Sequence, residues 1–507
     1  MYNPANDVEE LLAFGLAHDL IHPLDTPMAR NVLLDALALT QPAEAAAQAP
    51  ASALPALARL LEYAVAQGMI ENDTETERDL FDTRLMGAMM PRPSEVAARF
   101  AALEASQGIQ AACRWFYQLC IDCGYIRSDR VARNIAWEHQ TAYGRMEVTI
   151  NLSKPEKDPR EVARLKTLPQ VGYPKCQLCP SNVGYQGRLD HPARQTLRVL
   201  PVRLNGESWY FQYSPYVYYP EHCIVLREEH IPMKISRETF VRLMGFLDRF
   251  PHYFIGSNAG IPIVGGSILN HDHFQGGVHT MPMSLAGTRQ ELHAPVEGMH
   301  AGIVHWPMSV LRLRHANADV LVAEATRLLD LWEAYSDESV GILAHTDAPH
   351  NAVTPIARRR GEDWELDFVL RNNRTSAEHP MGIFHVHSDL HHIKKENIGL
   401  IEVMGLFILP GRLESEFRGL ADILCGSEPY NPAALADAAH PLNKHHSWLQ
   451  SMLGEGPSAT LEDAMARIRH QCADKCVRVL QDCAVFRDDE PGRAAFLRFA
   501  QHAGYTV

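Results

Sequence analysis

Apolar positions recur three and four residues apart along the first quarter of the chain: Val8, Leu11, Leu12 and Leu16, then Leu57, Leu60, Leu61 and Val65, then Phe100 and Leu103. That spacing lines one face of a helix and proline stands at the breaks, so residues 1–140 are expected to be helical. The Ala/Pro-rich run 41–55 reads as a loop. From Arg145 the period changes to two. Residues 146–152 alternate as a strand, and aromatic-rich strands are expected over 209–219 and 222–227. Ser236 caps a helix that carries Phe240, Leu243, Met244 and Leu247 on one face. A longer amphipathic helix covers about 319–335, strands are expected at 341–345, 365–371 and 382–387, and beyond Leu413 the pattern is helical again, ending in 460–483. Strand, helix, strand is therefore read twice, which makes the chain α+β. Two similar antiparallel-sheet halves, 141–310 and 311–415, would lie between a helical beginning, 1–140, and a helical end, 416–507.

The bulk numbers narrow the partners. A chain of 507 residues has room for about three domains of ~150 residues. Its 46% hydrophobic and 21% charged composition is that of an ordinary globular protein. The net charge of −14 speaks against a nucleic-acid surface, so an anionic ligand has to be caught by local lysines or arginines. No apolar run reaches the ~18 residues of a membrane helix, and residues 1–10 have neither the basic nor the apolar part of a secretory leader. Ten cysteines in so long a chain do not make a disulfide framework. A reduced, cytoplasmic protein is expected.

Chemistry concentrates in Asn270-His271-Asp272-His273-Phe274-Gln275, which follows the glycine-rich run Gly260-Ile261-Pro262-Ile263-Val264-Gly265-Gly266-Ser267. Alternate residues of a strand share a face, about 6.5 Å apart, so His271, His273 and Gln275 can surround one phosphate. Cys176 and Cys179 are followed by Pro180 in a loop, which favours a metal over a core pair. They supply only two ligands. Cys120 and Cys123 share the spacing but close the pattern Cys113-Phe116-Tyr117-Cys120, which fits a buried helix face. Cys472, Cys476 and Cys483 read as core in the same way. Lys154 and Lys157, just past a strand end, suit either a phosphate clamp or plain solvated surface.

Taken together, Cys176-x-x-Cys179-Pro180, Asn258-x-Gly260 leading to Gly265-Gly266-Ser267, and His271-x-His273-x-Gln275 resemble the galactose-1-phosphate uridylyltransferases of the histidine-triad superfamily. The segments 151–159 and 393–402 are similar to the second, bacterial class of that family. The resemblance covers roughly residues 125–415. It implies exchange of a uridylyl group: UDP-glucose gives it to a histidine, glucose 1-phosphate leaves, and galactose 1-phosphate takes it up as UDP-galactose. By motif position His273 would be the nucleophile. Gln275 would donate a hydrogen bond to a phosphoryl oxygen but cannot titrate, which points to transfer in preference to hydrolysis. His271 would ligate zinc with Cys176, Cys179 and His230, a closed structural set; as a sequence feature alone, His230 fits a solvated loop equally well. Lys154 and Lys157 fall where the family has phosphate-binding arginines. Asn258, Gly265, Gly266 and Ser267 would shape the substrate loop, and Lys395, Asn397 and Gly399 fall in a segment that the family uses across a homodimer interface. A second metal would draw on His385 and His387, with no further ligands in view. Two other readings stay open: a dinucleoside polyphosphate phosphorylase, and a zinc-stabilised binding protein without activity.

Overall fold

The computed structural model describes residues 2–44, 47–153 and 171–507. Its helices and antiparallel sheets make it α+β. Two compact units are formed, residues 1–132 with 153–231, and residues 133–152 with 232–507.

In the first unit the helices Pro4–Ala17, Thr26–Ala36, Leu54–Ala66, Glu75–Gly87, Pro93–Gln107 and Ile109–Asp122 follow one another. Asn3 and Thr74 cap two of them by accepting the N–H groups of Ala5 and Glu77. Leu11, Leu12, Leu57, Leu60 and Phe100 are buried, as their spacing demands. Helix Ile109–Asp122 packs on a three-stranded antiparallel meander, Leu200–Leu204, Glu207–Tyr213 and Cys223–Arg227. Phe116 lies 5.3 Å from the Tyr213 ring, and the Tyr213 hydroxyl donates to the Cys113 carbonyl at 3.1 Å. Cys113 and Cys120 are thus core residues of a helix face. The first hairpin closes on Asn205 and Gly206, both with positive φ, the geometry a two-residue turn needs to match strand twist.

The second unit holds a seven-stranded antiparallel order: His273–Gly277, Phe254–Gly256, Asn351–Arg360, Asp363–Asn372, Val310–His315, His300–Val304, Thr288–His293. Helix Arg237–Arg249, capped by Ser236, and helix Ala318–Ala334 bury Phe240, Leu243, Leu328 and Trp332. The Trp332 indole N–H donates to the Ala352 carbonyl at 2.9 Å, fixing the second helix to the sheet. A smaller sheet joins the hairpin Ile135–Thr141 and Gly144–Asn151 to Leu406–Pro410, which runs parallel to the latter strand. Helices Leu413–Leu424, Leu461–Asp482 and Glu490–His502 complete the unit, with Cys472, Cys476 and Cys483 buried.

Several sequence expectations are corrected. Residues 135–141 are a strand, not the end of the helical region, because Gly144 with φ of 100° allows a tight turn and Thr141 Oγ1 donates to the Gly144 carbonyl at 2.7 Å. Residues 341–345 form only isolated bridges. Residues 382–387 form no strand: Gly382 takes a φ of 122° and its N–H donates to His379 O, while Ile383 N–H donates to Arg374 O, so the backbone groups are spent on turns. His385 and His387 therefore do not share a strand face. The strand bearing the histidine motif begins at His273, so His271 precedes it.

Candidate active site

His273 opens its strand and is 5% exposed. Its Nδ1 lies 2.8 Å from the carbonyl oxygen of His271. A carbonyl only accepts, so Nδ1 carries the proton and Nε2 keeps its lone pair. Burial, only partly offset by that hydrogen bond, lowers its pKa to about 4, and the neutral form prevails at pH 7. Between the histidines, Asp272 turns to Arg242 of helix Arg237–Arg249, 3.8 Å away. Gln275, half-buried, pairs with Gly256, the last residue of the strand that leads into the glycine-rich loop.

Asn258 ties that loop to a distant segment. Its Oδ1 accepts the Leu400 N–H at 2.9 Å, at the start of the short helix Leu400–Val403. Its Nδ2 lies where a Cβ on Gly266 would come within 2.6 Å, and a Cβ on Gly265 would overlap the carbonyl oxygens of Ala259 and Ile261. Gly265 in turn offers its carbonyl to Asn397 Nδ2 at 3.4 Å, and Gly399 N–H donates to Glu402 at 3.2 Å. Glycine is needed at 265 and 266 because backbone and amide pass too close for any side chain. Asn397 also faces His385, with its Oδ1 3.3 Å from Nε2. Ser267 and Lys395 are exposed, whereas the neighbouring Lys394 is buried and bonds Glu402 at 2.9 Å and the Ile408 carbonyl at 3.1 Å. Lys154 and Lys157 lie outside the described residues.

In the first unit, Cys176, Cys179 and His230 gather their ligand atoms within 4.8 Å of one another. The two sulfurs are 3.5 Å apart, too far for a disulfide and near the ~3.8 Å edge of a tetrahedral zinc site. Cys179 Sγ is 3.1 Å from His230 Nδ1. Asn182, fully buried, donates through Nδ2 to the carbonyls of both Cys176 and Cys179 at 2.8 Å, and its Oδ1 accepts from His191 Nε2 at 2.6 Å. That brace holds the Cys-x-x-Cys loop through its backbone. Desolvation, with the neighbouring Cys179 adding to it, pushes the Cys176 thiol up to about 11, so the thiolate form calls for a positive charge beside it. The donor set fits a structural zinc. His271, the fourth residue expected, belongs to the second unit and is fully buried.

His385 and His387 are used otherwise. His387 Nδ1 pairs with Asp482 at 3.3 Å and its N–H donates to the same carboxylate, while its ring stacks on His379 at 4.6 Å. Among the described residues neither belongs to a group of three potential metal ligands, and the same holds for Cys120 and Cys123. Asn182, His191 and Lys394 were not singled out by sequence. Only adjacency to Cys179 and Lys395 could have signalled two of them, since each acts through backbone carbonyls or a distant acid.

A buried neutral imidazole with an unprotonated Nε2 is chemically able to attack phosphorus, and it is the matches to known proteins that make the chain a nucleotidyltransferase. Models of the galactose-1-phosphate uridyl transferase N-terminal and C-terminal domains match residues 26–232 and 246–445. Curated galactose-1-phosphate uridylyltransferases are similar over nearly their whole length. That of Caldanaerobacter subterraneus subsp. tengcongensis is 51% identical over 510 residues, 98% of each chain. That of Bacillus subtilis is 49% identical over 505 residues, 98% of this chain and 97% of the relative. The chain belongs to the galactose-1-phosphate uridylyltransferase family. A solved yeast Ap4A phosphorylase aligns at 10% identity with a TM-score of 0.32, over 64% of this chain and 88% of that one, which is too distant to bear on function.

Proposed function

We propose that the protein transfers a uridylyl group from UDP-glucose to galactose 1-phosphate through a covalent intermediate on His273. The observation that carries this is the fixed tautomer of His273. In the first step Nε2 bonds to the α-phosphorus of UDP-glucose as the bond from that phosphorus to the bridging oxygen breaks, and glucose 1-phosphate departs with the electron pair. No proton need be given to it, because a phosphate monoester leaves as an anion. The ring becomes cationic, with Nδ1–H still held by the His271 carbonyl, which stabilises that charge. In the second step a phosphate oxygen of galactose 1-phosphate attacks the same phosphorus, the N–P bond breaks, and His273 returns neutral. Gln275 donates to a phosphoryl oxygen and offers no base to activate water.

Asn258, Gly265, Gly266 and Ser267 form the loop that receives the substrate; Lys154, Lys157 and Lys395 bring charge to the phosphates, with Asn397 and Gly399 beside the last of these. Zinc held by Cys176, Cys179, His230 and His271 supplies structural rigidity, with no open position for substrate. The protein acts in the cytoplasm as a homodimer, on nucleotide sugars and hexose 1-phosphates, apart from nucleic acid and membrane. The acidic net charge speaks against a nucleic-acid surface; none of the described helices is long and apolar enough to cross a membrane.

The test is the half-reaction. Labelled UDP-glucose alone should release glucose 1-phosphate in one stoichiometric burst and leave acid-labile uridylyl label on the protein. Label on His273→Gly at the wild-type level would sink the assignment. Phosphorolysis of diadenosine tetraphosphate without any reaction of UDP-glucose would sink the substrate.

A further inference from the structure

A second group of ligating side chains lies within the second unit, on a face that no step above uses. His139 stands on strand Ile135–Thr141, whose odd-numbered residues turn inward while the even-numbered ones are exposed. Helix Leu461–Asp482 packs on that face and presents His470 and Asp474, four residues and one turn apart. His139 Nε2 is 3.0 Å from one oxygen of Asp474 and His470 Nε2 is 3.6 Å from the other. The imidazoles meet edge to face with centroids 4.3 Å apart, and all three ligand atoms lie within 4.8 Å of one another.

These distances are close to those of a coordination sphere. Cis ligands at ~2.1 Å from an octahedral cation are ~3.0 Å apart, and tetrahedral ligands at the same bond length are ~3.4 Å apart. The two measured contacts, 3.0 Å to one Asp474 oxygen and 3.6 Å to the other, are near those values. The remaining edge, within 4.8 Å, has to close by at most ~1.4 Å for a tetrahedral ion or ~1.8 Å for an octahedral one, and the His470 side chain that would move is 64% exposed. An exposed His–Asp contact is worth at most ~1 kcal/mol, which gives no reason for two imidazoles from separate elements to converge on one carboxylate.

We propose that His139, His470 and Asp474 bind a late first-row divalent cation, with water in the remaining positions. The donor set, two imidazoles and one carboxylate, selects such ions over calcium or magnesium. Bound there, the cation clamps the hairpin 135–151 to helix Leu461–Asp482. The hairpin is already held at Tyr143, whose hydroxyl accepts from Gln481 at 3.3 Å, and the helix ends at Asp482, which receives His387. The clamp therefore adds a third tie between the hairpin and helix Leu461–Asp482.

Full-length protein, stripped with a chelator and reloaded with one equivalent of zinc to fill the cysteine cluster, is titrated with Co2+ and followed by visible absorption and by metal analysis after dialysis. One further equivalent is expected, with d–d bands and no thiolate charge-transfer band. His139→Ala and His470→Ala should each weaken it at least about tenfold, and Asp474→Asn similarly, with unchanged circular dichroism. Cys176→Ser, titrated without zinc, should keep the increment, which separates this site from the cysteine cluster. An equal increment in wild type and His470→Ala, no increment up to ~1 mM Co2+, or an increment bearing the charge-transfer band overturns the proposal.

Discussion

Nδ1 of His273 sits 2.8 Å from the His271 carbonyl oxygen, and this one contact assigns the proton to Nδ1 and leaves Nε2 as the nitrogen for the proposed attack. Burial is the larger influence on the ring and lowers its pKa to about 4. A base whose pKa is lowered stays neutral as the pH drops, so the rate of uridylyl transfer to His273 should be flat from pH 8 to 6. It should fall only towards pH 4. Single-turnover rates across that range, in a buffer that keeps the fold, check this; an acid limb centred at 6.5 would contradict it.

Gly265 leaves no room for a methyl group, because the Ala259 and Ile261 carbonyl oxygens already occupy it, whereas a Cβ on Gly287 meets nothing within 4 Å. Gly265→Ala has to push the loop aside and should lower kcat/KM by about 100-fold, the scale of a misplacement near 1 Å. Gly287→Ala should change stability by no more than ~0.5 kcal/mol and leave activity intact. Steady-state kinetics and thermal melts on the pair separate loop shape from a general loss of fold.

Asn182 holds the carbonyls of Cys176 and Cys179 and is itself held by His191. Asn182→Ala frees the loop, so zinc affinity measured by competition with a chromogenic chelator should drop about 10- to 100-fold, as expected for a group that orients metal ligands. An unchanged affinity would show that the loop is rigid without it.

A buried relay links His392, His445 and Glu416: Nδ1 to Nδ1 at 2.7 Å, then Nε2 to carboxylate at 2.8 Å. Burial first, then the charges of His445, Lys475 and Arg412, pushes His392 down to about 3. Burial works against the Glu416 carboxylate, but hydrogen bonds from His445 and Lys444 and the Arg412 charge outweigh it and hold it near 2. Both folded-state values lie below the unfolded ones. The stability they contribute is complete above about pH 6.5 and is lost as the pH falls, from His392 between 6.5 and 3 and from Glu416 below about 4.5. The melting temperature of His392→Asn should therefore depend less steeply on pH between 6.5 and 4 than that of the wild type. Parallel curves would refute the role given to His392.

Much of this was legible before any coordinates. Helical faces such as Phe240-Leu243-Leu247 and Cys113-Phe116-Cys120 show themselves because side chains three and four apart meet on one helix, a relation internal to the segment. The Cys176-x-x-Cys179-Pro180 loop and the His271-x-His273-x-Gln275 run are likewise patterns internal to one segment, whereas His230 stands out only through the family resemblance. Strands were harder. Residues 351–360, 300–304 and 310–315 are strands that their own pattern does not mark, while 341–345 and 382–387 carry a strand-like pattern and form none, since a strand is made by the neighbour that pairs with it.

Sequence alone determined the α+β class, the family and the residue types brought to the chemistry, because these are written in local periodicity and short motifs. The tertiary structure decided which groups those residues use. It gave the His271 carbonyl to His273, the Leu400 N–H to Asn258, the two cysteine carbonyls to Asn182 and the Asp482 carboxylate to His387. It also brought His139 to His470 and Asp474 across more than 300 positions. Hydrogen bonds to backbone carbonyls and contacts between distant elements leave no periodic trace in a chain, because any residue supplies the carbonyl and only the fold supplies the distance.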